Sequence, residues 1–259
     1  MTRVLSGAAL AAFAIAIVWF APAWLFFAVG FVLAVLAVNE VVTLAQTSGL
    51  AVSKSTAGFA AALVVGSSGV PEMFQIVLMT AMVAVAASSL GAWRGGPGAL
   101  ASVAATLLPA LYVGLPVSAL LGIRTLSGPR GLFLLMLTVM VSDTSQYYTG
   151  RAFGRRPLAP MVSPKKTVEG AIGGAVIASA VFAVVGIWWL PQLAAPFRAI
   201  LGLTIVVLGI VGDLFESMLK RSAGVKDSSA LIPGHGGVLD RIDALLFAAP
   251  VYYIVLRYV

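Results

Sequence analysis

Residues 23–45 read AWLFFAVGFVLAVLAVNEVVTLA, an apolar run as long as the α-helix that crosses the hydrocarbon core of a membrane. Comparable runs recur along all 259 residues, of which 61% are hydrophobic and 10% charged. We therefore predict an all-α fold, a polytopic transmembrane bundle of about nine helices. The predicted helices lie near 4–20, 23–45, 56–68, 71–91, 99–121, 131–149, 170–190, 197–219 and 241–257.

Some segments between the long runs are less regular. Segment 56–68 is too short to span unaided, so it is expected to be a broken or re-entrant helix shielded by its neighbours. The Gly and Pro clusters at 95–98 and 127–129 predict loops. Residues 1–23 also resemble a signal peptide that could be cleaved near Ala23, but the proline at 22 and the bulky Trp24 favour a turn between two helices.

The net charge of +7 does not indicate a nucleic-acid-binding protein, because the basic residues are scattered over short loops instead of sharing one soluble face. On the predicted topology they favour one side of the membrane by about three to one, as cytoplasmic loops do. We therefore expect the N-terminus inside, the C-terminus outside, and an active site that faces the cytoplasm from the inner (plasma) membrane.

Charge divides the chain into two regions. Residues 1–130 are predicted to be scaffold helices, and residues 131–259 a catalytic region with cytoplasmic loops at 150–169 and 220–240. Of the nine carboxylates, only Glu40 and Glu72 lie outside 143–243. We therefore expect the chemistry in the second region.

A polar stripe crosses the helix predicted at 197–219. Asp213, Glu216, Ser217 and Lys220 are spaced i, i+3, i+4 and i+7, which places them on one helix face. A carboxylate inside a membrane helix costs about 2.5–3.5 kcal/mol, so it marks a functional site by default. For Glu216 an ion pair with Lys220 one turn away is the alternative.

The segment 233–243, PGHGGVLDRID, combines a glycine loop with acids. Its glycines would let backbone amides approach a ligand closely, as in phosphate-binding nests. Carboxylates without any Cys favour Mg²⁺ over zinc, so we predict a site for a metal-bound polyphosphate. His235 could be a phosphate donor, a general acid/base or a turn residue. The charged residues that flank the loop are Lys220, Arg221, Lys226, Asp227, Asp240, Arg241 and Asp243.

The loop at 150–169 carries a second basic group. Ser163 followed by Pro164 predicts a helix N-cap and first helical position, with Lys165 and Lys166 beside the free amides as an anion site. The alternative for the arginines at 155–156 is a positive-inside anchor. Asp143 needs a partner, for which Arg151 and the metal are candidates.

These two stretches resemble the phosphatidate cytidylyltransferase (CDP-diacylglycerol synthase) family. The match is dense in the C-terminal stretch and also extends to the upstream one, with Gln146 as a departure where small Ala is usual. The matching residues include Ser142, Asp143, Thr144, Tyr147, Gly150, Arg151, Phe153, Gly154, Ser163–Thr167, Glu169, Gly170, Ser217, Lys220, Arg221, Lys226, Asp227, Pro233, His235, Gly236, Gly237, Asp240, Arg241 and Asp243.

The resemblance implies transfer of CMP from CTP to phosphatidate, with Mg²⁺, in phospholipid biosynthesis in the lipid bilayer; it leaves a homodimer open. It implies Asp213 and Asp240 as metal ligands. As catalytic residues it implies Lys220, Lys226, Asp227, His235, Arg241 and Asp243. As substrate-binding residues it implies Asp143, Arg151, Ser163, Lys165, Lys166, Glu216, Ser217, Arg221, Gly236 and Gly237.

Two alternatives compete with this interpretation. One is a related membrane enzyme that uses CTP, either an isoprenoid-phosphate cytidylyltransferase or a polyprenol kinase. The other is a transporter, in which acids such as Asp143 and Asp213 would line an ion path. A transporter has no need of a glycine-histidine loop flanked by acids outside the hydrocarbon.

Overall fold

The computed structural model describes the backbone of residues 2–232, 234 and 236–259, and their side chains except those of residues 2–6 and 71. Its dominant element is the α-helix, which confirms the predicted all-α class. The only strands in this part of the chain are β1 (Pro157–Ala159) and β2 (Ser163–Thr167). The helices are α1 (Thr2–Phe20), α2 (Ala23–Thr47), α3 (Lys54–Gly66), α4 (Phe74–Ala92), α5 (Ala99–Pro109), α6 (Leu115–Phe153), α7 (Val168–Trp189), α8 (Ala195–Ser222) and α9 (Leu239–Tyr258).

Several helices are long and apolar enough to cross a membrane. Among the described residues there are five such stretches, so the chain has the build of a multi-pass membrane protein. They are Ala23–Thr47, Phe74–Ala92, Ala99–Phe153, Val168–Trp189 and Ala195–Ser222. Length and composition alone therefore do not establish the nine expected crossings.

The breaker cluster at 127–129 separates two helical segments, so the expected interruption is confirmed; it takes the form of a kink at Gly128. Gly128 has φ 64° and ψ −164°, a conformation open to glycine, and Pro129 follows it inside α6. Upstream, α5 passes into α6 through the π-helical turn Ala110–Gly114. Helical structure thus runs from residue 99 to residue 153 with one interruption, at Gly128. By contrast, residues 95–98 do form the expected loop between α4 and α5.

The chain divides into two compact units. Unit 1 comprises Met1–Gly122 and Leu219–Arg241, and unit 2 comprises Ile123–Met218 and Ile242–Val259. Helices α6, α8 and α9 each contribute residues to both units. These units are defined by which residues pack together. The division near residue 130 into scaffold and catalytic regions is a prediction about function, and it stays a prediction.

In unit 1 the short helix α3 is shielded by other helices, as expected for segment 56–68. It packs against α2, α4, α5 and the π-helical turn. A side chain at Gly114 would meet the carbonyl oxygen of Ala61 at 3.1 Å, so α3 and this turn approach closely. Small residues allow such contact between helix backbones. The buried residues of α3 are Ala57, Ala60, Ala61, Val64 and Val65.

In unit 2 a buried stripe with a spacing of four residues runs along α7. Its members are mostly small, which allows the α6 backbone to approach. Farther along the stripe, the Phe182 ring meets the Tyr252 ring edge-on at 5.9 Å, and the Tyr252 hydroxyl donates to the Gly131 carbonyl at 3.1 Å. The stripe is Gly170, Gly174, Ala178, Phe182 and Gly186.

The helix start predicted at Ser163 is wrong. Residues 163–167 form β2, which pairs antiparallel with β1 in the register Pro157 to Thr167 and Ala159 to Ser163. Helix α7 begins at Val168, and its N-cap is Thr167, whose hydroxyl accepts the Gly170 N–H at 3.1 Å. The hairpin takes up the backbone of Ser163, so the cap moves four residues downstream.

Candidate active site

Asp240 organises the glycine loop in unit 1. Its Oδ2 accepts hydrogen bonds from the Ser228 N–H at 3.0 Å, the Ser228 hydroxyl at 2.7 Å and the Gly237 N–H at 2.8 Å. Its Oδ1 accepts from Lys220 Nζ at 2.5 Å. One carboxylate at the first turn of α9 thus holds two parts of the loop and the C-terminal end of α8.

A second carboxylate, Glu40 from α2, binds the same loop from the opposite end of the sequence. Its Oε2 accepts from the Leu239 N–H at 2.8 Å and lies 2.9 Å from the Ser228 hydroxyl. Its Oε1 accepts from the Ser229 hydroxyl at 2.7 Å and the Val238 N–H at 3.0 Å. Glu40 is 6% exposed. It therefore caps the start of α9 with a buried charge.

Gly236 and Gly237 make room for these two carboxylates. A side chain at Gly237 would overlap the Ser228 hydroxyl and both Glu40 oxygens, and one at Gly236 would meet Asp240 Oδ2. Gly236 also has φ 76°, which L-residues with a side chain rarely adopt. The amides of residues 237–239 donate to protein carboxylates, the role that a nest would otherwise offer to phosphate.

Four other charged candidates of unit 1 are exposed at its surface: Arg221, Lys226, Asp227 and Arg241. The Arg221 guanidinium donates to the Val225 carbonyl at 3.1 Å, just beyond the end of α8. Exposed cations beside a loop can bind phosphate without losing an internal partner. His235 lies outside the described residues, and its role stays a prediction.

In unit 2 the central pair is Lys166 with Asp213. The Lys166 ammonium contacts Asp213 Oδ2, and the two side chains are 22% and 27% exposed. The Ser217 hydroxyl lies 3.4 Å from Asp213 Oδ1, one helical turn along α8. Lys166 belongs to the basic loop at 150–169, and Asp213 belongs to the polar stripe of α8. Their contact therefore joins two segments that were each predicted to be functional.

Other acids of unit 2 belong to the same surroundings. Asp243 is close enough to Asp213 and Asp143 for their negative charges to act on it, and Lys166 offsets that repulsion. The Ala244 N–H donates to Asp243 Oδ1 at 2.8 Å. Glu216 is 1% exposed. Asp243 thus interacts with two other acids and one lysine, so acids outnumber bases around it.

The remaining candidates of unit 2 lie around the β hairpin and the end of α6. Arg151 and Lys165 are exposed, and Ser163 is half-buried in β2. Gln146 fits without strain, because its amide donates to the Ser142 hydroxyl at 3.0 Å and its side chain packs where Gly174 leaves space. Gln146, which is larger than the usual Ala, is thus accommodated by the absence of a side chain at Gly174.

Arg156 and Glu169 brace the hairpin. The Glu169 carboxylate accepts from the backbone N–H groups of Arg155 and Arg156 at 3.0 and 3.2 Å. It also pairs with the Arg156 guanidinium at 3.2 Å. The Arg156 side chain is 75% exposed, so this ion pair contributes little by itself. Glu169 therefore orders the chain that precedes Lys166.

The predicted Mg²⁺ ligands differ in how free their oxygens are. Within the described residues, the one hydrogen-bond contact of Asp213 Oδ1 is the long one with Ser217, so this oxygen fits a metal ligand. Asp240 Oδ2 already takes three donors, and only Oδ1, shared with Lys220, retains a lone pair. The described residues contain no group of three or more His, Asp or Glu side chains placed to bind a metal directly.

Comparison with known proteins decides the family. The family profile described as "Cytidylyltransferase family" matches residues 1–259. The chain belongs to this family. The loop, the acids and the lysines described above are therefore parts of a cytidylyltransferase-family protein.

Three relatives carry the name phosphatidate cytidylyltransferase. The chain is 50% identical to the Haemophilus influenzae protein over 131 residues, which are 48% of this chain and 45% of that one. It is 42% identical to the Thermotoga maritima protein over 161 residues, 60% of each chain. It is 41% identical to the Pseudomonas aeruginosa protein over 177 residues, 68% of this chain and 63% of that one. The chain thus spans about half to three fifths of these curated relatives.

Glu40 belongs to the site, although it was not predicted to. It lies outside the acid-rich segment 143–243, in the region 1–130 that was predicted to be scaffold. The signal was present, because a lone carboxylate within an apolar membrane helix marks function by the same argument that selected Asp213. The sequence could not predict the partner, because Glu40 and Ser228 are 188 residues apart and are brought together only by the fold.

Proposed function

We propose that this protein transfers CMP from CTP to phosphatidate, giving CDP-diacylglycerol and pyrophosphate. The observation that carries the proposal is the family match over residues 1–259, with relatives named phosphatidate cytidylyltransferase. In the reaction a phosphate oxygen of phosphatidate attacks the α-phosphorus of CTP. The bond from that phosphorus to the bridging oxygen breaks, and pyrophosphate leaves with the electron pair. The lipid phosphate is itself the nucleophile, so no side chain has to be one.

The residues of each unit suit parts of this task. Exposed Lys226, Arg221 and Arg241 provide cations for the phosphates that enter and leave. Lys220 and Lys166 are held by carboxylates, which fixes their positions before the substrate binds. Fixed charges aimed at phosphate oxygens stabilise the transition state without reorganisation.

Mg²⁺ is the cofactor we propose, and its candidate ligands are Asp213 of unit 2 and, through Oδ1, Asp240 of unit 1. When bound, it would neutralise charge on the phosphates during transfer. Asp213 would bind through Oδ1, whose contact with Ser217 is long. The nearby acids Asp143 and Asp243 would favour a divalent cation there.

The proposed setting is a cytoplasm-facing site in the inner (plasma) membrane, on a chain that crosses about nine times. The basic residues of the hairpin and of the glycine loop support this orientation, because cytoplasmic loops are rich in Lys and Arg. The substrates are then CTP from solution and phosphatidate from the bilayer.

A label in CTP tests the reaction. Purified protein in detergent is given Mg²⁺, phosphatidate and CTP labelled in either the α- or the γ-phosphate. We expect α-label in a CDP-lipid that forms only with added phosphatidate, and γ-label in pyrophosphate. Label from the γ-position in lipid, with CDP in solution, would identify a polyprenol-kinase type of reaction instead. Product with an isoprenoid phosphate but not with phosphatidate would identify the other related enzyme.

A further inference from the structure

The buried carboxylate of Glu40 connects helix α2 to the segment that contains the glycine loop. Its four donors are two backbone N–H groups, of Val238 and Leu239, and two hydroxyls, of Ser228 and Ser229. All of these residues belong to unit 1. Such a set of partners fixes both the position and the orientation of the loop segment that leads into α9.

Ser228 links Glu40 to the ion pair of the site. Its hydroxyl lies 2.9 Å from Glu40 Oε2 and 2.7 Å from Asp240 Oδ2, and its single proton serves one of them at a time. Its backbone N–H donates to Asp240 as well. Glu40 therefore acts on the carboxylate that holds Lys220 through one shared residue.

We propose that Glu40 is a positioning residue for the transfer reaction: from α2 it holds the 228–239 loop so that Asp240 and Lys220 are correctly placed. This inference rests on the proposed function for its kinetic consequence, but not for its structural one. In the part of the chain that the structure describes, the Glu40 carboxylate bonds to Ser228, Ser229, Val238 and Leu239, so its proposed action on the reaction passes through the loop.

A purely structural role is the competing explanation. It would predict that loss of the Glu40 charge lowers stability and the yield of folded protein but leaves turnover per folded molecule unchanged. A positioning role predicts instead that turnover per folded molecule falls more than stability does. A carboxylate-to-amide change keeps the side-chain volume, but it replaces one acceptor oxygen with a donor NH₂ that faces other donors. The loop shifts while α2 stays packed.

The test uses Glu40→Gln in the full chain, with Glu72→Gln as the matched control. Glu72 is an exposed carboxylate in the turn Pro71–Met73, outside the loop network. For Glu40→Gln we expect kcat to fall at least about tenfold, as loss of one charged hydrogen bond implies, with KM for CTP within about threefold. Glu72→Gln should differ from wild type by less than about twofold in both.

Hydrogen exchange of the loop supplies a readout that needs no activity. Amides of 228 and 237–239 should exchange at least about tenfold faster in Glu40→Gln than in wild type, and should be unchanged in Glu72→Gln. If wild type makes no CDP-lipid, the proposed function fails, yet the exchange result still decides whether Glu40 orders the loop. Unchanged loop exchange together with wild-type kcat would overturn the positioning role.

A milder variant covers the case in which Glu40→Gln does not fold. Ser229→Ala removes one Glu40 donor, together with the acceptor of the Leu231 N–H, and leaves Ser228, Asp240 and Lys220 intact. We expect faster exchange at residues 228 and 237–239 and a kcat lower by about threefold or more, at unchanged KM for CTP. Wild-type exchange and kcat in folded Ser229→Ala would count against the proposal.

Discussion

Lys220 and Asp240 form a nearly dry ion pair within unit 1, with Nζ 2.5 Å from Oδ1 and side chains 11% and 6% exposed. The same carboxylate accepts the N–H groups of Ser228 and Gly237 through its other oxygen. Asp240 thus gives the glycine loop its shape in addition to any role toward a metal. Removing one charge of such a pair leaves the other buried and uncompensated.

The first prediction concerns that pair. Asp240→Asn should destabilise the folded protein by about 3–5 kcal/mol, because the ammonium of Lys220 then faces an amide NH₂. Adding Lys220→Met should recover part of this loss, since it removes the buried charge that lacks a partner. Chemical unfolding in detergent of both single mutants and the double mutant measures the coupling. Losses that simply add would show that the two side chains act independently.

In these same three variants, activity should not recover when stability does. Both single mutants and the double mutant should lose CMP transfer, because recovery of stability does not restore the charges. A double mutant that is both stable and active would remove the pair from the reaction.

For the ion pair of Lys220 with Asp240, the sequence predicted the two residues but not their contact. Asp240 and Lys220 were each selected from the sequence, because charge in so apolar a chain is conspicuous. Their pairing was not predicted: helical spacing suggested Glu216 as a partner of Lys220, whereas the contact between Lys220 and Asp240 spans 20 residues of sequence. Periodicity identifies neighbours on one helix, but a partner supplied by a loop depends on the path of the chain.

Helix positions and breaker clusters were predicted well, and one helix start was not. Hydropathy placed α7 within two residues of its observed start at Val168, because a span needs a fixed apolar length. The Gly-Pro cluster at 127–129 correctly predicted an interruption, which the structure forms as a kink at Gly128 within α6. By contrast, a Ser-Pro pair predicted a helix cap where a hairpin forms, because Ser163 and the residues after it pair with β1 instead of starting a helix.

The second prediction separates Asp213 from Asp240. Asp213→Asn should lower Mg²⁺-dependent turnover by about a hundredfold, the scale of losing one electrostatic partner of the transition state. Stability should change by only about 0–1 kcal/mol, because its pair with Lys166 is partly exposed. Turnover in detergent at saturating CTP, compared with Glu72→Gln, measures the effect. Near-normal turnover would exclude Asp213 as a metal ligand.

The third prediction tests why the loop contains Gly237. Gly237→Ala should disorder the loop and abolish most CMP transfer, because the added methyl group would overlap the Ser228 hydroxyl and the Glu40 carboxylate. Gly58→Ala is the matched control, since Gly58 lies in α3 of the same unit with open space where its Cβ would be. In the helix that change should be neutral or stabilise by up to about 1 kcal/mol.

The comparison also separates two explanations of the glycine. If Gly237 serves close approach of a nucleotide phosphate instead, Gly237→Ala should raise KM for CTP and leave loop exchange near wild type. Loss of loop protection at 237–239 in the absence of CTP supports the carboxylate explanation.

The last prediction is topological and uses the absence of cysteine from the sequence. Helix α7, at about 1.5 Å per residue, is about 33 Å long and can cross the hydrocarbon core once. Arg155, before the β hairpin, and Ala194, before α8, are both exposed and lie on either side of that helix in the sequence. Single cysteines at these positions should therefore react with an impermeant maleimide from opposite faces of sealed vesicles.

The orientation follows from the same labels. In inverted vesicles, whose outer surface is the cytoplasmic one, Arg155→Cys should react at once and Ala194→Cys only after detergent is added. Right-side-out vesicles should give the reverse order, and CMP transfer by both variants should show that the labelled protein is folded. If both cysteines react from one face, α7 does not cross the membrane, and the hairpin and the segment before α8 share a side. Opposite faces with the order exchanged would instead keep the crossing and place Lys166 and its hairpin outside the cytoplasm, where CTP is absent.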